Sequence, residues 1–222
     1  MTKLIVLLCW IVSTFLPCVA RGQEFSRIIA VSTNIPYDIC FVPGYGLTSI
    51  PSFSLEYYPA DKQRWSLGLD AEFPWWKHPE EHRYLQINAL TLSGRWYFLK
   101  NYRGDYKGLY ALASAEAGRY GIGFDAKGWE GEALGASAGL GFKHRIGKPA
   151  SPFFFDCGVS LGYIYLRYDP YIWGDDSTRH YYYDWSGLPE DFVKRNKGRD
   201  WWGPTRIWLS VGIELFKRKT ER

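Results

Sequence analysis

Apolar side chains recur at every second position in several stretches of the chain. Trp65, Leu67, Leu69, Ala71 and Phe73 alternate with Ser66, Gly68, Asp70 and Glu72. Ile207, Leu209, Val211, Ile213 and Leu215 alternate with positions that include Arg206, Ser210, Gly212 and Glu214, and Leu90, Leu92, Trp96 and Phe98 with Thr91, Ser93 and Arg95. Period two is the spacing of a strand with unlike faces. Eight stretches of this kind stand at 27–38, 47–58, 64–74, 84–98, 108–121, 131–145, 153–168 and 204–216. Each suits a tilted membrane strand of ~9–11 residues, and an even number of antiparallel strands returns both ends to one side. The pattern predicts an all-β fold, an eight-stranded antiparallel up-and-down transmembrane β-barrel.

The connections sort by length. Pro59 to Gln63 and Gly147 to Pro152 are short turns on the side of the termini, and Leu99 to Lys107 on that side is longer than a minimal hairpin. On the other side fall Ile39 to Gly46, Trp75 to Arg83, Ile122 to Glu130 and a long loop over 169–203. Short inner turns and longer outer loops fit a membrane barrel. Aromatic residues gather toward the strand ends: Tyr37, Trp75, Trp76, Tyr120, Trp129, Tyr168, Trp201 and Trp202 at the outer rim, Tyr57, Tyr58, Trp65, Trp96, Tyr97, Tyr110 and Phe216 at the inner. They predict two girdles; the competing reading is a soluble sandwich or lipocalin-type core.

The first residues set the compartment. Lys3, a largely apolar run from Leu4 to Leu16 and small or turn-forming residues from Pro17 to Gly22 read as a secretory signal peptide over 1–22, cut after Gly22 or after Ala20. The apolar run falls short of the ~20 residues of a spanning helix. A lipidated Cys18 would follow Phe15, Leu16 and Pro17, which are not the small residues such a site prefers. Residues 23–222 then form one barrel domain with a charged tail at 217–222. Cys40 and Cys157 remain, toward opposite ends of the barrel, and a disulfide needs Cα atoms within ~7 Å, so two free thiols are expected.

Charge and composition exclude little but shape the rest. Lys and Arg number 27 against 23 Asp and Glu; removing 1–22 takes Lys3 and Arg21 and leaves 25 against 23, no case for nucleic acid. Aromatic residues make 18% of the chain, the amphipathic rings a membrane interface uses. Glu56, Asp70, Glu72, Arg95, Glu116, Lys143, Arg206 and Glu214 fall on the faces assigned inward. Unpaired charges would be costly there, so an interior salt-bridge network filling a narrow barrel is expected.

Six short stretches carry a family resemblance: Thr33-Asn34-Ile35-Pro36-Tyr37-Asp38, Arg64-Trp65-Ser66-Leu67, Arg95-Trp96-Tyr97-Phe98, Gly118-Arg119-Tyr120-Gly121, Gly131-Glu132-Ala133 and Trp202-Gly203-Pro204-Thr205. In order and spacing the chain resembles a family of Bacteroidetes outer-membrane proteins, a domain of unknown function (DUF3575-like). The resemblance implies a barrel, a role in surface assembly or attachment beside fimbria-like proteins, and no catalytic residues. Many outer-membrane barrels end on an aromatic residue read by the insertion machinery, whereas here Phe216 is followed by Lys217 to Arg222.

Chemistry is sparse. His78-Pro79-Glu80-Glu81-His82 has the composition of a zinc site, but Pro79 prevents a helix from aligning the two imidazoles. His144 has no serine partner two residues away, and no Gly-x-Ser-x-Gly elbow occurs. No cofactor, metal or catalytic residue is expected. The 169–203 loop sets acids beside aromatic rings, and Tyr171, Trp173, Asp175, Asp176, Tyr182 and Trp185 are the candidate contact residues for a surface partner. The expectation is a non-enzymatic outer-membrane barrel whose partners are membrane lipid, the insertion machinery and a surface or fimbrial protein. A lipid-modifying barrel enzyme and a secreted lipid-binding barrel are the alternatives.

Overall fold

The computed structural model describes residues 28–42, 46–48, 51–59, 64–73, 75–78, 83–98, 107–124, 126–147, 151–174, 179–181, 187–191 and 193–215. Residues 1–27 and 216–222, where the signal peptide and the charged tail are expected, and the segment 79–82 of the histidine-rich loop lie outside the described residues. Strands are β1 (Ile28–Asn34), β2 (Cys40–Val42), β3 (Gly46–Thr48), β4 (Ser52–Tyr58), β5 (Trp65–Glu72), β6 (Trp75–His78), β7 (Arg83–Tyr97), β8 (Gly108–Phe124), β9 (Lys127–Arg145), β10 (Phe153–Trp173), β11 (Arg179–His180) and β12 (Lys197–Glu214). Among the described residues one short α-helix, α1, covers Ile35–Asp38, and Pro189–Asp191 forms a 3-10 turn.

Eight of these strands close on themselves. β1 pairs with β4, then β5, β7, β8, β9, β10 and β12 follow, and β12 returns to β1, every pairing antiparallel. Closure removes the free edges of an open sheet. Each of the eight predicted stretches overlaps one ring strand, and β7, β8, β9, β10 and β12 run beyond the predicted bounds on the loop side, because alternation of half-exposed faces survives tertiary packing.

The register shows how the ring closes. Starting at Trp202, partners run Tyr163, Ala136, Ala115, Leu92, Leu69, Leu55 and Val31, and the path returns to β12 at Ile213 instead of Trp202. That stagger means the strands tilt, and a ring of this kind needs a tilt of ~35–45°. All nine positions sit on the outward face, and none of them is charged.

The connections differ from expectation at several places. The expected loop Trp75 to Arg83 begins with β6, which pairs with β7, and the expected loop Ile39 to Gly46 carries β2, which pairs with β3. Ile122 to Glu130 is no loop: Phe124 pairs with Lys127, so β8 and β9 join in a tight hairpin. The 169–203 segment is strand at both ends, with β10 running to Trp173, β11 pairing beside it, and β12 starting at Lys197. Acids and exposed aromatics in that stretch concealed the alternation. The first stretch ends early, because Pro36 cannot donate to a ladder and α1 begins at Ile35.

Pro204 sits within β12 at a register shift, where Ser160 faces Arg206 and Leu161 faces Pro204. The extra residue, Thr205, is a bulge, the place a sheet accepts a proline. It also reverses the parity of β12, so that Trp202 and Ile207 both face outward. Neighbouring Gly203 has φ +152, a conformation that favours glycine.

Candidate functional site

The interior is filled rather than hollow. Glu56 on β4 is its hub: it accepts hydrogen bonds from Ser66 (2.5 Å), Tyr97 (2.8 Å) and Tyr58 (2.5 Å). Arg95 on β7 reaches it at 3.2 Å and bridges to Asp156 on β10 at 2.8 Å. Lys143 on β9 lies 3.0 Å from Glu56 and donates to the Tyr58 hydroxyl. Its ammonium also stands 3.8 Å from the Phe154 ring centre. Asp156 accepts in turn from Tyr110 (2.6 Å) and Trp208 (3.2 Å). Two carboxylates and two cations thus balance within a belt of rings formed by Tyr58, Tyr97, Tyr110, Phe154 and Trp208.

Glycines on the facing strands make this packing possible. A Cβ at Gly141 would meet the Tyr110 ring at 2.3 Å, and one at Gly158 the Trp208 ring at 2.2 Å. Each ring therefore lies flat over a bare strand. Further along the ring interior, Arg206 pairs with Asp70 at 2.6 Å and lies 3.7 Å from Glu72. Glu116 extends over Gly135, and its Oε1 is buried with no hydrogen-bond partner among the described residues. Arg145 pairs with Glu214 at 2.7 Å near the end where β1 starts. Between these groups a cavity of ≈ 10 Å³ lined by Ser32, Ser54, Ser93, Ser114, Ser160 and Ser210 leaves room for about one water.

The Thr33 to Asp38 stretch forms the corner where β1 gives way to α1. The Asp38 carboxylate accepts from Thr33 Oγ1 (2.5 Å) and from the Ser52 backbone N–H (3.3 Å) and hydroxyl (3.2 Å). Asn34 accepts from the Leu209 N–H at 2.9 Å and donates to the Ile207 carbonyl at 3.4 Å, extending the β1–β12 ladder by a side chain. A family described as protein of unknown function, DUF3575, matches residues 4–213. The chain belongs to DUF3575. No curated protein and no solved structure matches it.

In this DUF3575 chain the end opposite the termini carries a second polar cluster. Glu130 on β9 accepts from Arg179 (2.9 Å), Tyr181 (2.7 Å) and Arg195 (3.0 Å), while Arg195 also pairs with Asp169 at 3.1 Å. The Arg195 backbone has φ 62, and its N–H donates to Asp169 at 2.6 Å, which holds that strained turn in place. Burial would raise the Glu130 carboxyl, but hydrogen bonds from Tyr181 and Arg195 and the charges of Arg195 and Arg179 outweigh it and hold the group below the usual carboxylate range. Glu130, Asp169 and Tyr171 lie on the outward side of β9 and β10, so Arg179, Tyr181 and Arg195 are clasped against the outer wall of the sheet.

Of the loop residues singled out from sequence, Tyr171 is fully buried, edge-on to Tyr181 and Trp173, with the Arg179 guanidinium over its ring. Trp173 is half-buried at the end of β10; Asp175, Asp176, Tyr182 and Trp185 lie outside the described residues. The interior residues Glu56 and Arg95 come together, as do Asp70, Glu72 and Arg206, while Glu214 pairs elsewhere and the Glu116 Oε1 has no hydrogen bond among the described residues.

Sequence reading missed Asp156 and Trp208 and misplaced three rings. Phe153, Phe154 and Phe155 put aromatics on both faces of β10 and blurred the alternation that places Asp156 inside. Tyr58, Tyr97 and Tyr110 were expected at the inner rim but fill the interior. The signal was present: the parity that puts Glu56 and Arg95 inside puts Tyr58 and Tyr97 there too. Among the described residues no group of three His, Cys, Asp or Glu is placed to hold a metal, and Cys157 is a free thiol; the Cys40 side chain lies outside what is described.

Proposed function

We propose that the chain is a non-enzymatic outer-membrane β-barrel that anchors or recognises a surface partner through its outer loops. The observation that carries this reading is the outward face of the ring. Along β9, Leu134, Ala136, Ala138, Leu140 and Phe142 point outward and exposed, against inward Gly135, Ser137, Gly139 and Gly141. Leu67, Leu69, Leu90, Leu92, Trp96, Leu161, Ile207 and Leu209 continue the exposed apolar surface on other strands. A monomeric soluble protein rarely exposes so large an apolar patch. The stretch from Leu134 to Phe142 fits the ~9–11 residues a tilted strand needs to cross hydrocarbon.

Polar residues frame the belt. Asn88, Arg119, Glu132 and Arg167 stand side by side in the row that follows Leu90, Ala117, Leu134 and Tyr165 toward the loop end. No helix of the described residues is long and apolar enough to cross a membrane; strands are the elements this reading uses. Beyond the belt, Leu188 and Val193 are well exposed on the clasped segment, as is the indole of Trp201 on β12. These are the partner-facing groups of the reading.

The test is a cross-linking pull-down from intact cells carrying the tagged full chain, compared with a variant in which Leu188 and Val193 are replaced by Ser. Specific surface proteins captured by the first and lost by the second are expected. Equal capture by both contradicts the contact surface, and recovery of the chain from the aqueous periplasmic fraction contradicts the membrane assignment.

A further inference from the structure

We propose that the outward face of β8, β9, β10 and β12 at the loop-side margin of the apolar belt binds a lipid whose sugar head group carries phosphate, with Arg119, Arg167, Tyr163 and Trp202 as its contacts. The inference rests on the membrane reading and assigns a ligand to one side of the ring. Three chemistries follow one another along adjacent strands in the order in which such a lipid presents them. Leu161 on β10 and its register partner Ala138 on β9 form the apolar level, both exposed.

Next comes an aromatic level. Tyr163 and Trp202 face each other across the β10–β12 ladder with ring centres 4.7 Å apart, and Trp202 is 76% exposed. The Tyr163 hydroxyl donates to Asp200 at 2.5 Å, which sets a carboxylate beside the rings. An open indole next to a hydrogen-bonding carboxylate suits a sugar, whose C–H face stacks while its hydroxyls donate.

The charged level lies beyond it, past the row that Tyr165 and Leu134 share. Arg119, Glu132 and Arg167 are register partners across β8, β9 and β10, so two guanidiniums flank one carboxylate. The Arg119 side chain is 80% exposed and lies 3.5 Å from Glu132, a loose surface pair that leaves its fork available. Arg167 donates to the Arg195 carbonyl at 3.3 Å, which steers it along the wall above Tyr165. A guanidinium fork matches phosphate oxygens, and a site directly above hydrocarbon meets head groups before it meets proteins.

The full chain in detergent micelles, titrated with lipid A, phosphatidylglycerol and phosphatidylcholine and read by native mass spectrometry, tests the site. Lipid A is expected to survive as a one-to-one adduct under conditions that strip phosphatidylcholine. Replacing both arginines, Arg119→Ala with Arg167→Ala, should weaken that adduct by about tenfold or more, and the double Lys variant should fall between. Trp202→Ala should weaken lipid A and leave phosphatidylglycerol unchanged. Undiminished lipid A binding by the double Ala variant overturns the proposal, as does phosphatidylglycerol binding as tightly as lipid A with no response to Trp202→Ala. If the alanine pair does not fold, a double Lys variant that binds lipid A as tightly as the wild type overturns it equally. A chain that stays monomeric in buffer without detergent is a separate result, and removes the membrane reading beneath it.

Discussion

Lys143 and Glu56 are 87 residues apart in the chain and 3.0 Å apart inside the ring. Both are almost wholly buried, and Arg95 and three hydroxyls complete the shell around the Glu56 carboxylate. Removing one member of such a group strands charge in a dry interior. Glu56→Ala should lower unfolding free energy by about 3–5 kcal/mol in denaturant titrations in micelles. Glu56→Leu combined with Lys143→Met should lose far less, because both charges leave together. Equal losses in the two variants would mean that the ion pair contributes little.

Glycine identity should matter according to which face it occupies. Gly141→Ala drives a methyl into the Tyr110 ring and should cost about 1–3 kcal/mol. Gly94→Ala meets nothing within 4 Å on the outward face and should be neutral or gain about 0.5–1 kcal/mol from lost chain entropy. Denaturant midpoints of the two variants check this; a destabilised Gly94→Ala would place a neighbour where none stands.

The clasp at Glu130 predicts a pH response of definite sign. A carboxyl held below its ordinary value stabilises the clasped form above the unfolded carboxylate range near pH 4.3, and loses that contribution as pH falls through its folded value. Limited proteolysis of the 182–192 segment should therefore be slow at neutral pH and accelerate in acid below about pH 4.3. Glu130→Gln should be cut quickly at neutral pH and lose most of the acid response. Resistance unchanged in that variant would assign the clasp to Asp169 and Arg195 alone.

A filled interior should not conduct. With Arg95, Glu56 and Asp156 locked together and space for about one water, the reconstituted protein is expected to give no steady current in planar bilayers. Reproducible single-channel steps from the wild type would show that the interior charges move apart.

The ring was legible because each of its eight strands keeps some alternation of faces, as Trp65 to Phe73 does in full. The ends were less so. Glu130, Asp169 and Arg195 look like solvated loop residues, yet they tie a segment to the sheet that their own hydrophilicity would release. The interior network was half legible. Glu56 and Arg95 declared themselves by parity, whereas Asp156 hid among three phenylalanines and Trp208 among outward-facing aliphatics. Tyr171 illustrates the remaining gap, since an aromatic in a polar segment reads as a contact residue until its packing against Gly128 and Tyr181 is seen.

Whether the outward apolar face meets hydrocarbon is the central question, and spin labels answer it most directly. Single cysteines at Ala136, Ala138, Leu140 and Phe142, with Ser137 and Gly139 as inward controls, would be labelled in a background lacking Cys40 and Cys157 and reconstituted into vesicles. The outward labels should be accessible to oxygen and shielded from a water-soluble nickel chelate, deepest near Ala138 and Leu140, while the inward labels are shielded from both. Outward labels open to the nickel chelate along the whole series would contradict the account.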